Sequence, residues 1–149
     1  MNPGADPEVI LCDTTFVSLQ EKAGAKPETI LHWPKATLER LDTATLALSV
    51  FSLAEIRAGR LHANWPQGRA DRQEARLAAF LLIPLDENIL NEFAKLYAWS
   101  LKGHTINHND LWIAATALAR DMPLVSCDKH HRDIADAHPL DLIFLPAKQ

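Results

Sequence analysis

Short apolar runs that each stop on an aspartate constrain this chain more than any other feature. Val9-Ile10-Leu11-Cys12 is unbroken and ends at Asp13, and Leu124-Val125-Ser126-Cys127 ends at Asp128. Runs this short, apolar and rich in β-branched residues fit strands buried on both faces, and such strands need a layer above and below them. Thr45 to Val50 reads as a further strand, Ile83-Pro84-Leu85 as a brief strand or extended link, and Leu142 to Leu145 as the last strand. Helical segments separate them. A short helix around Phe16 to Gln20 is broken by Ala23-Gly24-Ala25-Lys26-Pro27, a further piece spans Thr37 to Asp42, Ser52 opens a helix toward Trp65-Pro66, and Arg69 to Leu82 follows. Glu87 to Leu101 carries Ile89, Phe93, Leu96 and Tyr97 at helical spacing and stops at Gly103, whereas Asp110 to Arg120 is apolar almost all round. Strands alternating with helices predict an α/β fold, with a central, mostly parallel sheet of four or five strands and helices on both faces.

Length and composition narrow this further. At 149 residues there is room for one domain, assigned to residues 9–149, and residues 1–8, crowded with Pro3, Gly4, Asp6 and Pro7, read as a flexible extension. The start lacks the basic and apolar regions of a secretory signal, and no apolar stretch approaches the ~20 residues that span a bilayer, so the expected compartment is the cytoplasm. Fifteen basic against nineteen acidic residues give a net charge of −4, which argues against coating nucleic acid through bulk positive charge. Cys12 and Cys127 show no zinc or disulfide spacing and read as small buried hydrophobes.

In an open parallel sheet, ligands bind outside the carboxyl ends of the strands. Asp13 and Asp128 directly follow strands, while Glu55 and Asp110 fall in the first turn of helices expected to begin at the same edge. Each acid also has a local reading. Ser52-x-x-Glu55 has the form of a capping box, Asp110 suits the positive end of a helix, Asp13 can cap the helix after it, and Asp128 can serve a turn. Four acids aimed at one place repel one another unless a cation neutralises them, and oxygen ligands in that number suit Mg²⁺ or Mn²⁺. Metal-assisted phosphodiester hydrolysis is the reaction class this combination serves.

Ile10-Leu11-Cys12-Asp13-Thr14-Thr15-Phe16-Val17-Ser18, Ser52-Leu53-Ala54-Glu55-Ile56-Arg57-Ala58-Gly59, Asn109-Asp110-Leu111-Trp112-Ile113-Ala114-Ala115-Thr116-Ala117 and Leu124-Val125-Ser126-Cys127-Asp128-Lys129-His130 resemble, in order, the motifs of PIN-domain ribonucleases. Among these the chain is most similar to VapC-type toxins of bacterial toxin–antitoxin pairs. That resemblance implies a three-layer α/β/α fold and a Mg²⁺- or Mn²⁺-dependent endoribonuclease whose acids are Asp13, Glu55, Asp110 and Asp128. It also implies a homodimer held inactive by a VapB-type antitoxin. Asp13 and Asp110 are the first choices for metal ligands and Asp128 the next, with Glu55 either a ligand or the group that orients the attacking water. Thr15 and Ser126 are candidates to bond a ligand or a water from behind. Two positions depart from the family pattern: His131 stands where an aromatic is frequent, and Ser126 where threonine is common.

Between Arg57 and Arg76 the chain carries five arginines, no lysine and two acids, a local charge of +3. Arg57, Arg69, Arg72 and Arg76 are therefore candidates to hold RNA phosphates or an antitoxin segment, against the alternative of an ordinary solvated helix with charge pairs. Trp33 and Trp65, beside prolines, and Trp99 are expected in packing or as anchors of a dimer or antitoxin contact, and Trp112 in the core. His104 and His108, four apart, with His130 and His131 nearby, suggest a zinc hydrolase as a weaker alternative. More simply, the histidines line the mouth of the site. A further alternative is a catalytically silent PIN-like domain that only binds a protein partner.

Overall fold

The computed structural model of the protein describes residues 6–26, 30 and 32–146. Its elements run β1 (Val9–Cys12), α1 (Thr14–Ala25), α2 (Lys35–Thr43), β2 (Thr45–Ser49), α3 (Val50–His62), α4 (Gln67–Leu77), β3 (Leu81–Ile83), α5 (Glu87–Ser100), α6 (His108–Arg120), β4 (Leu124–Ser126), α7 (Lys129–Ala137) and β5 (Leu142–Phe144). The five strands form one sheet in the order β3-β2-β1-β4-β5, and every pairing is parallel.

Side chains on a strand alternate between faces, and here each face meets its own core. Leu11, Ala47 and Leu124 point to one side, where Ile89 and Leu96 of α5, Leu111 and Ile113 of α6 and Ile134 of α7 cover them. Ile10, Cys12, Leu48 and Val125 point to the other, against Phe16 and Val17 of α1, Leu41 of α2, Ile56 of α3 and Leu77 of α4. The result is the three-layer α/β/α arrangement implied by the sequence. From β1 the chain proceeds to β2 on one side, whereas β4 lies on the other, so successive connections diverge between β1 and β4 and leave a crevice at their carboxyl ends.

Several boundaries differ from expectation. The segment expected to be helical through Leu82 ends at Leu77, and the strand is Leu81–Ile83, not Ile83 to Leu85. An apolar run without period looks alike as helix or strand, and pairing of Leu81 to Ile83 with Ala47 to Ser49 decides the matter. α1 continues through Gly24, while the break expected at Pro27 lies outside the described residues, as do residues 1–5 of the extension. Glu8 is tied down: its carboxylate accepts from Arg40 Nε at 2.8 Å and Nη2 at 2.9 Å, and its carbonyl accepts from Thr45 N at 2.8 Å. α7 forms where the sequence pattern predicts no helix. It is short and mostly polar, with His131 and Ile134 its buried residues, too few for a periodic signal.

Candidate functional site

Asp13 leaves β1 directly into the crevice and caps α1, its Oδ1 accepting from Phe16 N at 2.9 Å. Thr15 Oγ1 lies 2.8 Å from both carboxylate oxygens, and Ser126 Oγ donates to Oδ2 at 2.6 Å. Asp128 caps α7, accepting from His130 N at 2.9 Å. The local and the functional readings of these two aspartates therefore coexist, because a carboxylate has about four lone-pair positions and capping occupies only some of them. Asp110 sits in the first turn of α6 behind the cap residue Asn107.

For Glu55 the capping-box reading is corrected. α3 begins at Val50 with Ser49 as its cap, accepting from Ser52 N at 3.1 Å, so Glu55 falls beyond the first turn. Its Oε1 instead accepts from Thr14 Oγ1 at 3.1 Å, across to α1.

The acids share one electrostatic environment. Burial pushes the Asp110 carboxyl up, the charges of Asp128 and Asp13 push the same way, and the attraction of His131 and His130 only partly opposes them. Glu55 is likewise raised, by burial and by the charges of Asp110 and Asp13, against hydrogen bonds from Thr14 and Asn109. Donor atoms of Asp110, Asp128 and His130 lie within 4.8 Å of one another, with His130 Nδ1 at 3.4 Å from Asp110 Oδ2 and 3.5 Å from Asp128 Oδ1. Uncompensated carboxylate charge beside hard oxygen donors fits a divalent cation, and the imidazole adds a ligand that transition metals accept. Asp13 already receives hydrogen bonds from Thr15, Phe16 and Ser126 and lies 3.4 Å from His131 Nδ1, so most of its lone-pair positions are committed within the protein.

The sequence marks His131 as a departure from the family pattern and as one of the histidines at the mouth of the site, yet it is fully buried at the centre of the site. Its Nδ1 lies 2.8 Å from Ser126 Oγ and 3.4 Å from Asp13 Oδ2, and its Nε2 lies 3.3 Å from the backbone carbonyl of Asp110. Because the Ser126 proton points to Asp13 and a carbonyl only accepts, both ring nitrogens are placed to donate. Burial would lower the pKa of this imidazole, but the hydrogen bond and charge of Asp13, with the charges of Asp110 and Asp128, raise it overall. In its protonated form His131 offsets part of the acid charge from behind.

The other histidine reading fails: His104 stacks on Trp99 in the loop before α6, 4.1 Å between centroids, while His108 opens α6 edge-on to Tyr97, so the pair does not share a helical face. Trp33 is core, stacked on Phe16 with its Nε1 donating to the Pro146 carbonyl at 3.1 Å, and Trp112 is sandwiched between Phe51 and Phe93.

The arginine strip is divided. Glu74 takes Arg57 Nε at 2.7 Å and Arg60 Nη2 at 2.6 Å, pairs between α3 and α4 that are distant in sequence and not helical neighbours. Arg57 lines an apolar cavity with Leu53 and Leu77, away from the acids. Arg60, Arg69 and Arg76 line a groove of about 600 Å³ that begins at Thr14 and Glu55. Arg76 stands 3.8 Å from Glu21, while Arg69 and Arg72 have no carboxylate partner among the described residues.

Comparison with known proteins matches residues 11–137 to the PIN domain. The chain belongs to the PIN-domain family. Its sequence is 31% identical over 108 residues to Ribonuclease VapC5 of Mycobacterium tuberculosis, covering 70% of this chain and 80% of that protein. Its fold matches a chain of the DNA-bound VapBC structure from Salmonella typhimurium with a TM-score of 0.73 at 17% identity, over 92% of this PIN domain and 98% of that chain. VapBC-1 from nontypeable Haemophilus influenzae matches with a TM-score of 0.72 at 23% identity, over 91% and 97%. No helix among the described residues of this PIN domain is long and apolar enough to cross a membrane.

Proposed function

We propose that this PIN domain is a divalent-metal-dependent endoribonuclease, the toxin of a toxin–antitoxin pair that works in the cytoplasm as a homodimer restrained by a VapB-type antitoxin. One observation carries the reading: Asp13, Glu55, Asp110 and Asp128 stand around the β1/β4 crevice, where burial and the charge of acidic neighbours raise the carboxyls of Asp110 and Glu55. Identity to a named ribonuclease and likeness in fold to toxin–antitoxin structures support the substrate and the partner.

Asp110 and Asp128 are assigned as metal ligands, with His130 able to join them, and Asp13, whose charge reaches Asp110, is assigned to the same ion. Mg²⁺ or Mn²⁺ bound there supplies a water of lowered pKa and positive charge for the phosphate. Glu55, whose carboxyl is raised by burial and bonded by Thr14, is assigned to accept a proton from the attacking water and to fix its direction. Thr15 and Ser126 hold Asp13 in one rotamer, and His131 keeps Ser126 and the Asp110 backbone in place. Arg69 and Arg76, which line the groove, and exposed Arg72 are assigned to RNA phosphates outside the cleavage point; Arg57, occupied by Glu74, is left out of that set.

The test is cleavage of RNA by the purified protein with EDTA, then with Mn²⁺ or Mg²⁺ restored. Cleavage that stops and returns is expected. A folded protein that cuts no RNA under any metal, while still binding an antitoxin, would establish the silent protein-binding domain instead.

A further inference from the structure

The groove that leaves Glu55 carries one arrangement that phosphate binding does not use. Trp65 is half-exposed, and the guanidinium carbon of Arg69 lies over its indole, 3.6 Å from the ring centroid. The backbone holds this pair where it is. Trp65 N donates to the Arg60 carbonyl at 3.1 Å, Asn64 before it is left-handed at φ 52°, and Pro66 after it caps α4. Arg69 is one turn into α4, so the helix start sets the distance between guanidinium and ring. Neither a solvated helix nor a set of phosphate clamps calls for an aromatic plane at this point.

We propose that Trp65 and Arg69 form a base-stacking subsite for a nucleotide of single-stranded RNA next to the bond being cut, a specificity element that rests on the nuclease reading above. An indole with a cation held over its ring offers an aromatic platform that one nucleobase can join, and base–aromatic stacking tolerates any base because each has a π-face. A duplex would offer no such face, since its bases are stacked on each other. Charge agrees: Arg69 has no carboxylate among the described residues and is free to meet the phosphate of the stacked nucleotide. Thr14 and Glu55 line the same groove as Trp65 and Arg69, as do Glu21 and Lys22, so a strand with its reacting phosphate at the acids can lay a flanking nucleotide in the groove. An acidic peptide would satisfy the charges but leave the stacked plane unused, which is why RNA is the occupant chosen.

The experiment uses full-length Asp110→Asn protein to prevent cleavage, and measures Kd for a short single-stranded oligoribonucleotide and for the same oligonucleotide with one abasic residue at each position in turn. Trp65→Ala is expected to weaken the intact oligonucleotide about tenfold, Trp65→Phe less, and one abasic position should make Trp65→Ala nearly silent. Equal binding by Trp65→Ala and its parent overturns the subsite. So does a loss that persists unchanged with every abasic oligonucleotide, or a loss confined to antitoxin capture. Failure of the nuclease reading shows separately, as absence of metal-dependent cleavage by the wild-type protein, and circular dichroism of the variants confirms their fold.

Discussion

The β1/β4 crevice and the α3–α4 hairpin both concentrate charge, yet they handle it in opposite ways. At the crevice, Asp13 is 1% exposed and its charge is met by Thr15, Ser126, Phe16 and buried His131. On the hairpin, Arg57, Arg69 and Arg72 are exposed, and Arg60 alone is partly covered where it pairs with Glu74. A buried, hydrogen-bonded carboxylate is fixed in position and insensitive to salt, which suits a metal and a reacting phosphate. An exposed arginine keeps its freedom and is screened, which suits reversible grip on a polymer.

If the crevice does the chemistry, Asp110→Asn or Asp128→Asn should lower metal-dependent RNA cleavage by about 100-fold or more while leaving the circular dichroism unchanged. Retained activity in either would separate the acids from catalysis. Metal affinity should fall with falling pH, because Asp110 and Glu55 have raised pKa values and a proton then competes with the cation for them; calorimetry at several pH values reads this directly.

Next in size is His131→Leu, which leaves Asp13 buried beside no positive partner and should cost about 3 kcal/mol in urea unfolding. The sign of its pH dependence follows from a raised imidazole pKa: the wild-type advantage is full below the unfolded value near 6.5 and is lost as pH rises through the folded value. A variant as stable as wild type at every pH would deny His131 its role as counter-charge.

Charge reversal at Arg69 and Arg72 should raise KM for RNA with kcat nearly unchanged, and removal of each should reduce the salt slope of binding by about one. Loss of antitoxin binding alone would transfer this surface from substrate to partner. The smallest effect belongs to Glu74→Gln, about 1 kcal/mol, because the Arg57 pair is exposed and the glutamine amide can still meet the partly covered Arg60. Arg57 and Arg60 hold the Glu74 carboxyl down at about 2, so these pairs contribute above the ordinary glutamate range and are lost as pH falls toward 2.

Both regions are partly legible in the amino-acid sequence. The strands at Val9–Cys12 and Leu124–Ser126 announce themselves because burial on both faces demands unbroken apolar runs, and the aspartates after them follow from where such strands end. Glu55 is legible as a residue but not in its setting, since Ser52-x-x-Glu55 resembles a capping box and only the true cap at Ser49 releases its carboxylate toward Thr14. The strip from Arg57 to Arg76 is legible as composition, while its division between Glu74 and the groove depends on how two helices face each other.

Local pattern is enough for the parallel sheet, the four acids and their common edge, because these rest on short apolar runs and on the direction in which a parallel strand must leave its sheet. Packing in three dimensions is what puts His131 and not solvent behind Asp13, turns Glu55 toward α1, and lays Arg69 over Trp65 in the groove. Those are contacts between residues far apart in the chain or turned by a helix start, and no spacing rule encodes the rotation that brings them together.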